Sequence, residues 1–399
     1  MRNHASDKRI RFYYTSLQFL YWMMFCSIYG FATLFLIYFK VDPAKIGGIL
    51  ALVNIASTIL QPFISQVIIK KSKVPLIVVL KTMTIGVVAV LLAGVIFPAF
   101  SILTYVLGGI LLVSMQSFLN ALAFEYTNSG NKINFGFSRA GGSLGFAGTS
   151  FLLGQLLEEF SAGLLPMIAI GQAVLFLIIL LLLPAIKKPE MPVMLTEQSH
   201  SGAFLKKYPF LLFLFVGFSF LFSFNTMINS FLAQIFADIG GGSKEVGIAL
   251  MVAALCELPG MIFFEQLVRI RSSRFWLLFS SVAFAIRGVL MLLISSIILM
   301  ELSHLMQGVS FALFIPASAY LFNHSLADED RVFGQTIIII ATTIGGVIGN
   351  LLGGMLIQSF GVWEMLLIGT GFAVLGAALT FIGVKKIPKS NKKLAILSE

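Results

Sequence analysis

The chain has 399 residues, 58% hydrophobic and 11% charged, with a mean hydropathy of +0.98. Soluble domains carry about 25% charged residues, so the composition excludes a soluble globular protein. The net charge of +10 would suit a nucleic-acid binder, but its placement points to a membrane instead.

A helix that crosses a bilayer needs about 20 apolar residues. The runs that meet this need are 12–38, 46–69, 74–97, 101–124, 135–157, 162–186, 208–236, 246–268, 275–294, 298–322, 333–358 and 363–384. They predict an all-α membrane protein of twelve transmembrane helices in two pseudo-symmetric six-helix bundles, 1–186 and 208–399. The long connection 187–207 carries Pro189, Pro192 and lysines at both ends, as a cytoplasmic linker would. Of the 27 Lys and Arg residues, Lys40, Lys45 and Lys244 fall on one side, and Lys81, Arg139 and Arg287 fall inside spans. The rest lie in the termini and the alternate loops of the other side. Basic loops stay in the cytoplasm, which puts both termini there; the membrane itself is expected to be a bacterial-type cytoplasmic one. The first apolar run has no small-residue cleavage site and is too long for the core of a signal peptide.

The two halves repeat. Lys45-x-x-Gly48-Ile49-x-x-x-Val53 returns as Lys244-x-x-Gly247-Ile248-x-x-x-Val252, an offset of 199 positions that sets Thr58 opposite Glu257. Phe135-Gly136 returns as Phe333-Gly334, and Gly154-x-Leu156-x-x-x-Phe160 as Gly354-x-Leu356-x-x-x-Phe360. Parallel halves of this kind build many secondary transporters. Gly345, Gly349 and Gly353 form a stripe on span 11, and Gly141 and Gly145 a shorter one on span 5. Small residues let helices approach closely, either as fixed packing or as a sliding contact.

Charges inside spans cost about 2.5–3.5 kcal/mol each on insertion scales, so they need partners or a function. Glu257 sits midway along span 8 and Arg287 midway along span 9. They are expected to meet each other, water or a ligand. Glu257 has small neighbours and Pro259 two residues on, which frees a carbonyl and permits local unwinding. It is a candidate proton carrier or substrate ligand, with a structural tether to Arg287 as the alternative. Arg287 keeps its proton and would hold Glu257 ionised or bind a substrate carboxylate or hydroxyl. Arg139 and Lys81 lie close enough to span ends to snorkel. Asn225 and Asn229 share a helix face at i, i+4 and suit a polar solute or a bond between helices. Gln18 with Tyr21, and Gln307 with Ser310, form similar pairs. Trp22 could stack on a ring-shaped solute or simply pack, and Ser57 and Asn229 are expected on the solute path. His304 suits a hydrogen-bonded filler near the outer end of span 10. The two cysteines, Cys26 and Cys256, lie inside spans. No phosphate loop, Ser/His/Asp set or metal-ligand spacing occurs, so no cofactor, metal or enzymatic activity is expected and pumping would use a gradient.

Several stretches resemble the major facilitator superfamily, and within it the branch that includes lactose permease and the 3-phenylpropionate permeases. They are Gln61-Pro62-Phe63 closing span 2, and Phe135-Gly136-Phe137-Ser138-Arg139-Ala140-Gly141-Gly142-Ser143-Leu144-Gly145 opening span 5. Val246-Gly247 with Glu257 and Arg287 follows, and Leu305-Met306-Gln307-Gly308-Val309-Ser310-Phe311 on span 10 completes the set. The likeness covers nearly all twelve spans at low identity. It implies that Arg139 contacts substrate. Departures are specific. Gln307 and Ser310 stand where lactose permease has its span 10 histidine and glutamate. Its span 4 sugar-binding glutamate falls near Leu122, with Asn120 and Glu125 close by. Asn225 and Gly346 replace an aspartate–lysine pair, and Ser65 and Ile69 replace the glycine and aspartate of the loop 2–3 motif. Span 5 lacks the proline of drug-efflux antiporters, which favours import.

These features predict proton-coupled uptake of a small organic solute, a sugar or an aromatic carboxylate before a nucleoside, by a monomer. Arg139, Arg287, Asn225, Asn229 and Gln307 would bind the solute and Glu257 would carry the proton. Solute, proton and lipid bilayer are the expected partners, and nucleic acid is not. Efflux of a drug or lipid-like solute, and a non-transporting membrane sensor, are the rival readings.

Overall fold

The computed structural model describes residues 4–131, 133–184, 207–327 and 330–388, nearly all helical. The expected linker, apart from Lys207, lies outside the described residues. Among the described residues, ten helices are long and apolar enough to cross a bilayer, and the bent pair Lys8–Gly30 with Ala32–Tyr38, taken as one span, makes an eleventh. The remaining long helix, Phe135–Glu159, has 25 residues, about 37 Å at 1.5 Å per residue. Its glycines and serines dilute its hydropathy, and it is packed between the first and eighth spans.

Span 1 comprises His4–Phe25, a wide turn at Cys26–Gly30 and Ala32–Tyr38. Span 2 is Pro43–Phe63 followed by Ile64–Lys71. Spans 3 to 6 are Leu76–Ile96, Ser101–Asn128, Phe135–Glu159 and Leu165–Leu182. Span 7 is Phe210–Ser230 plus Leu232–Asp238, and span 8 is Ser243–Ile262 plus Phe264–Ile270. Span 9 is Ser273–Leu293. Span 10 is Ile297–Ser303, a tight turn at His304–Gly308 and Phe311–Ser325. Spans 11 and 12 are Arg331–Ser359 and Val362–Lys386.

The repeat runs in a register of 200 positions. Span 2 begins at Pro43 and span 8 at Ser243. Spans 1 and 7 both break at a phenylalanine, Phe31 and Phe231. Lys40 and Gly240 both take positive φ, at 56° and 82°. The counterpart of Gly247 is therefore Gly47, not Gly48, and that of Glu257 is Ser57, not Thr58. The offset of 199 paired the wrong glycine of Gly47-Gly48.

Spans 1–6 pack on one another, as do spans 7–12, and the two groups meet mainly along two helix pairs, 5 with 8 and 2 with 11. Glycine permits both approaches. A Cβ on Gly154 would lie 2.8 Å from the Gly247 Cα, and one on Gly47 would lie 2.2 Å from the Asn350 carbonyl oxygen. A Cβ on Gly354 would come 2.3 Å from the Pro43 oxygen. Glu158 Oε2 accepts from Lys244 N at 3.2 Å and Gln358 Oε1 from Ala44 N at 3.1 Å. All these contacts lie at the end of the molecule away from the basic loops.

Two stripes on span 11 therefore do different work. Gly345 and Gly349 press on the Ser219 and Ser223 carbonyls and Gly353 on Phe231, all within span 7 of the same bundle. Gly346, Asn350 and Gly354, one position along, face spans 2 and 7 and bridge the halves. Likewise Gly141 and Gly145 pack on Thr15 and Phe19 of span 1, inside their own bundle.

Candidate functional site

A cavity of about 380 Å³ lies between the halves, lined by spans 1, 2, 5, 7, 8 and 10. That is room for one small solute. Its floor, at the contacting end, is made where helices are interrupted. Gly30 and Ser230 flank the breaks of spans 1 and 7, and both line the cavity. Thr33 Oγ1 donates to the Ser230 carbonyl and ties one break to the other.

Arg139 stands on the wall from span 5. Its guanidinium carbon lies 3.9 Å from the centre of the Trp22 ring, and its Nη1 donates to Ser143 Oγ at 3.1 Å. Gly142 makes room for this stack, because a Cβ there would meet Trp22 at 2.4 Å. A cation–π contact contributes about 0.5–2 kcal/mol, rising as water is excluded from it. Arg139 is thus held against an aromatic face on the cavity wall rather than released to the membrane surface.

Asn225 and Asn229 line the wall from span 7, as their i, i+4 spacing requires, with Thr226 between them. The Asn225 Oδ1 is buried and lacks a protein partner. Span 2 adds Asn54, whose Oδ1 accepts from Tyr29 at 3.0 Å. Asn54 was missed in the sequence, although a lone asparagine in an apolar run one turn before Thr58 was a usable signal. Phe25, Phe146, Phe222 and Phe311 supply the apolar faces.

Glu257 lines the cavity from span 8, and Gln307 from span 10. Gln307 Nε2 donates to Glu257 Oε1 at 3.1 Å, and Arg287 Nη1 donates to Gln307 Oε1. No direct salt bridge joins Glu257 to Arg287 among the described residues. The expected pair is therefore a triad with an amide in the middle. Arg287 is fully buried and does not line the cavity: it stands behind Gln307.

The interruption in span 10 creates this arrangement. After Gly308 the backbone turns through Val309 and Ser310, and both amides donate to the Met306 carbonyl, at 3.2 and 2.9 Å. A Cβ on Gly308 would meet the Cys256 carbonyl at 2.5 Å, so only glycine brings this turn against span 8 beside Glu257. Pro259 permits unwinding of span 8. The helix nevertheless runs through Pro259 to Ile262 and breaks at Phe263.

Other candidates lie elsewhere. Ser57 is 1% exposed and bonds to the Val53 and Ile110 carbonyls, so it faces span 4 and not the solute path. Gln18 bonds Tyr14 and Asn120, and Tyr21 bonds the Leu112 carbonyl, all inside the first bundle. Ser310 is buried on the Met306 carbonyl. His304 is buried with Nδ1 against the Met300 carbonyl. Glu125 lies in a separate cavity with Gln61, Lys70 and Lys73, away from the central one.

Two bundles joined through glycine contacts around a central cavity lined by aromatic, aliphatic and a few polar side chains define a transporter of the major facilitator fold. Residues 13–367 match the MFS_1-like family, and the chain belongs to it. No curated protein sequence matches. Among solved structures, the nucleoside transporter NupG superposes with a TM-score of 0.76 at 16% identity, over 95% of this chain and 99% of that one. A bacterial homologue of the human lysosomal transporter Spinster, inward-facing and unoccupied, gives 0.72 at 13% identity over 96% and 98%. A bacterial homologue of the iron transporter ferroportin, inward-facing, gives 0.72 at 15% identity over 97% and 100%. At such identities these likenesses concern the fold.

Proposed function

We propose that the protein is a proton-coupled importer of a small polar organic solute in the cytoplasmic membrane, working as a monomer without cofactor or nucleic acid. The observation that carries this reading is Glu257, a carboxylate on the wall of the cavity between the halves. A membrane-embedded acid facing a cavity is an expected relay for protons. The basic loops and both termini are assigned to the cytoplasm. The halves then touch at the outer end, the inward-facing form, in keeping with the inward-facing states of two of the matched structures.

For the solute, the wall favours a neutral ring-bearing molecule with many hydrogen-bonding groups, a sugar or a nucleoside. Three asparagines, Gln307 and Tyr29 supply donors and acceptors, and the aromatic residues supply flat faces. A sugar agrees with the resemblance of the sequence to the lactose-permease branch. A nucleoside agrees with the neighbour NupG. An aromatic carboxylate loses ground, because only one of the two expected arginines, Arg139, lines the wall. The test is Glu257→Gln in cells or vesicles. The variant should equilibrate its solute yet fail to concentrate it. Accumulation against the gradient with unchanged pH dependence would assign the proton to another group.

A further inference from the structure

The charges of the central triad are joined by an amide, and an amide has a direction. With Nε2 on Glu257 and Oε1 toward Arg287, Gln307 offers a donor to the carboxylate and an acceptor to the guanidinium. Turned over, it would set a carbonyl against the carboxylate and an N–H against the guanidinium. Arg287 thus fixes the amide by holding one end, and its Nε and Nη2 stay buried without a protein partner. Gln307 is also the member of this pair that lines the cavity. It therefore touches both whatever occupies the cavity and the carboxylate beside it.

We propose that Gln307 is the positioning residue through which cavity occupancy sets the proton affinity of Glu257, with Arg287 acting through it. In the empty cavity the Nε2–H stabilises the ionised carboxylate. A solute acceptor that takes this N–H leaves Glu257 without its donor, and the carboxylate then binds a proton more readily. Solute and proton enter together, and by linkage each favours the other. This coupling rests on the transport reading above, but the bond between Gln307 and Glu257 can be tested apart from it. The other groups acting on Glu257 are Arg139 from span 5 and Arg287 from span 9. Its titratable neighbour in sequence is Cys256, and His304 on span 10 is turned to the Met300 carbonyl.

The experiment is labelling of the purified full chain by an apolar carbodiimide, which attacks protonated carboxyl groups, with Glu257 modification followed by peptide mass spectrometry from pH 5 to 9. Hydrogen bonds to charged groups are worth about 1.5–3 kcal/mol, so Gln307→Met should move the labelling midpoint upward by roughly one to two pH units. Gln307→Glu keeps an acceptor for Arg287 and sets a second carboxylate beside Glu257. Its midpoint should lie higher still, and it carries the test if the methionine variant does not fold. A residue that only filled space would not order the variants in this way. Midpoints unchanged from wild type would overturn the proposal, as would a downward shift in either variant. Gln307-dependent midpoints in a protein that moves no protons with any sugar, nucleoside or aromatic acid would refute the transport reading and leave this bond standing.

Discussion

At the scale of single residues, the cavity wall is made by a few polar side chains whose neighbours hold them in place. Arg139 is fixed by Trp22 and Ser143, Glu257 by Gln307, and Gln307 by Arg287. The helix face of a residue decides whether it can work here, and that predicts opposite behaviour for two cysteine substitutions. Asn229→Cys, on the wall, should react with a small polar thiol reagent. Ser57→Cys, turned into the first bundle, should stay unmodified under the same conditions. Rapid labelling of Ser57→Cys, measured by mass shift, would contradict the assigned face. Asn229 was legible because Asn225 shares its face at i, i+4. Ser57 misled because a single small polar residue in an apolar run has no partner to fix its face. Arg287 was legible as a buried charge, but nothing in its own span says that a glutamine from span 10 stands between it and the cavity.

At the scale of elements, the spans were legible because about 20 apolar residues are needed to cross the bilayer. The interruptions were not. Span 7 breaks at Phe231 with neither proline nor glycine at the break, and span 10 breaks around Gln307. These turns are held by tertiary contacts such as Gly308 on Cys256, which no local pattern encodes. The glycine stripes likewise needed coordinates to separate packing within a bundle from contact between bundles. They now make distinct predictions. Gly349→Leu should lower the melting temperature by overpacking span 7, a cost of about 1–3 kcal/mol. Gly247→Leu should instead wedge spans 5 and 8 apart. A cysteine at Asn229 in that background should then react with an impermeant reagent added from the side away from the basic loops. Equal loss of stability in both variants without such labelling would contradict the division.

A second element-scale contact ties the start of span 11 to the start of span 7. Lys207 Nζ and Tyr208 Oη donate to Asp330 Oδ2 at 2.7 and 2.8 Å. The hydrogen bond from Lys207 chiefly, with help from Tyr208, holds the Asp330 carboxyl below its ordinary range. A carboxyl lowered in the folded state adds stability above its unfolded value and loses it as pH falls through the folded one. The gap in melting temperature between wild type and Asp330→Asn should therefore be widest near neutral pH and close in acid. The contact is partly solvated and the effect small. A gap that widens in acid would contradict the sign.

At the scale of the whole molecule, two bundles in a register of 200 positions enclose one cavity, touch at one end and carry unlike chemistry. Glu257 in the second bundle answers to Ser57 in the first, so the cavity carboxylate sits on one half, while Arg139 faces the cavity from the other. The fold could be read from composition and repeats. The solute could not, because its contacts come from six spans whose rotations are set by packing. The direct test of proton-coupled import is solute-evoked proton movement in proteoliposomes, run against sugars, nucleosides and aromatic acids with Glu257→Gln as control. The account predicts proton entry with a neutral sugar or nucleoside in the wild type and none in the variant. Solute equilibration without proton movement in the wild type would contradict it, and would leave Glu257 as a structural neighbour of Gln307.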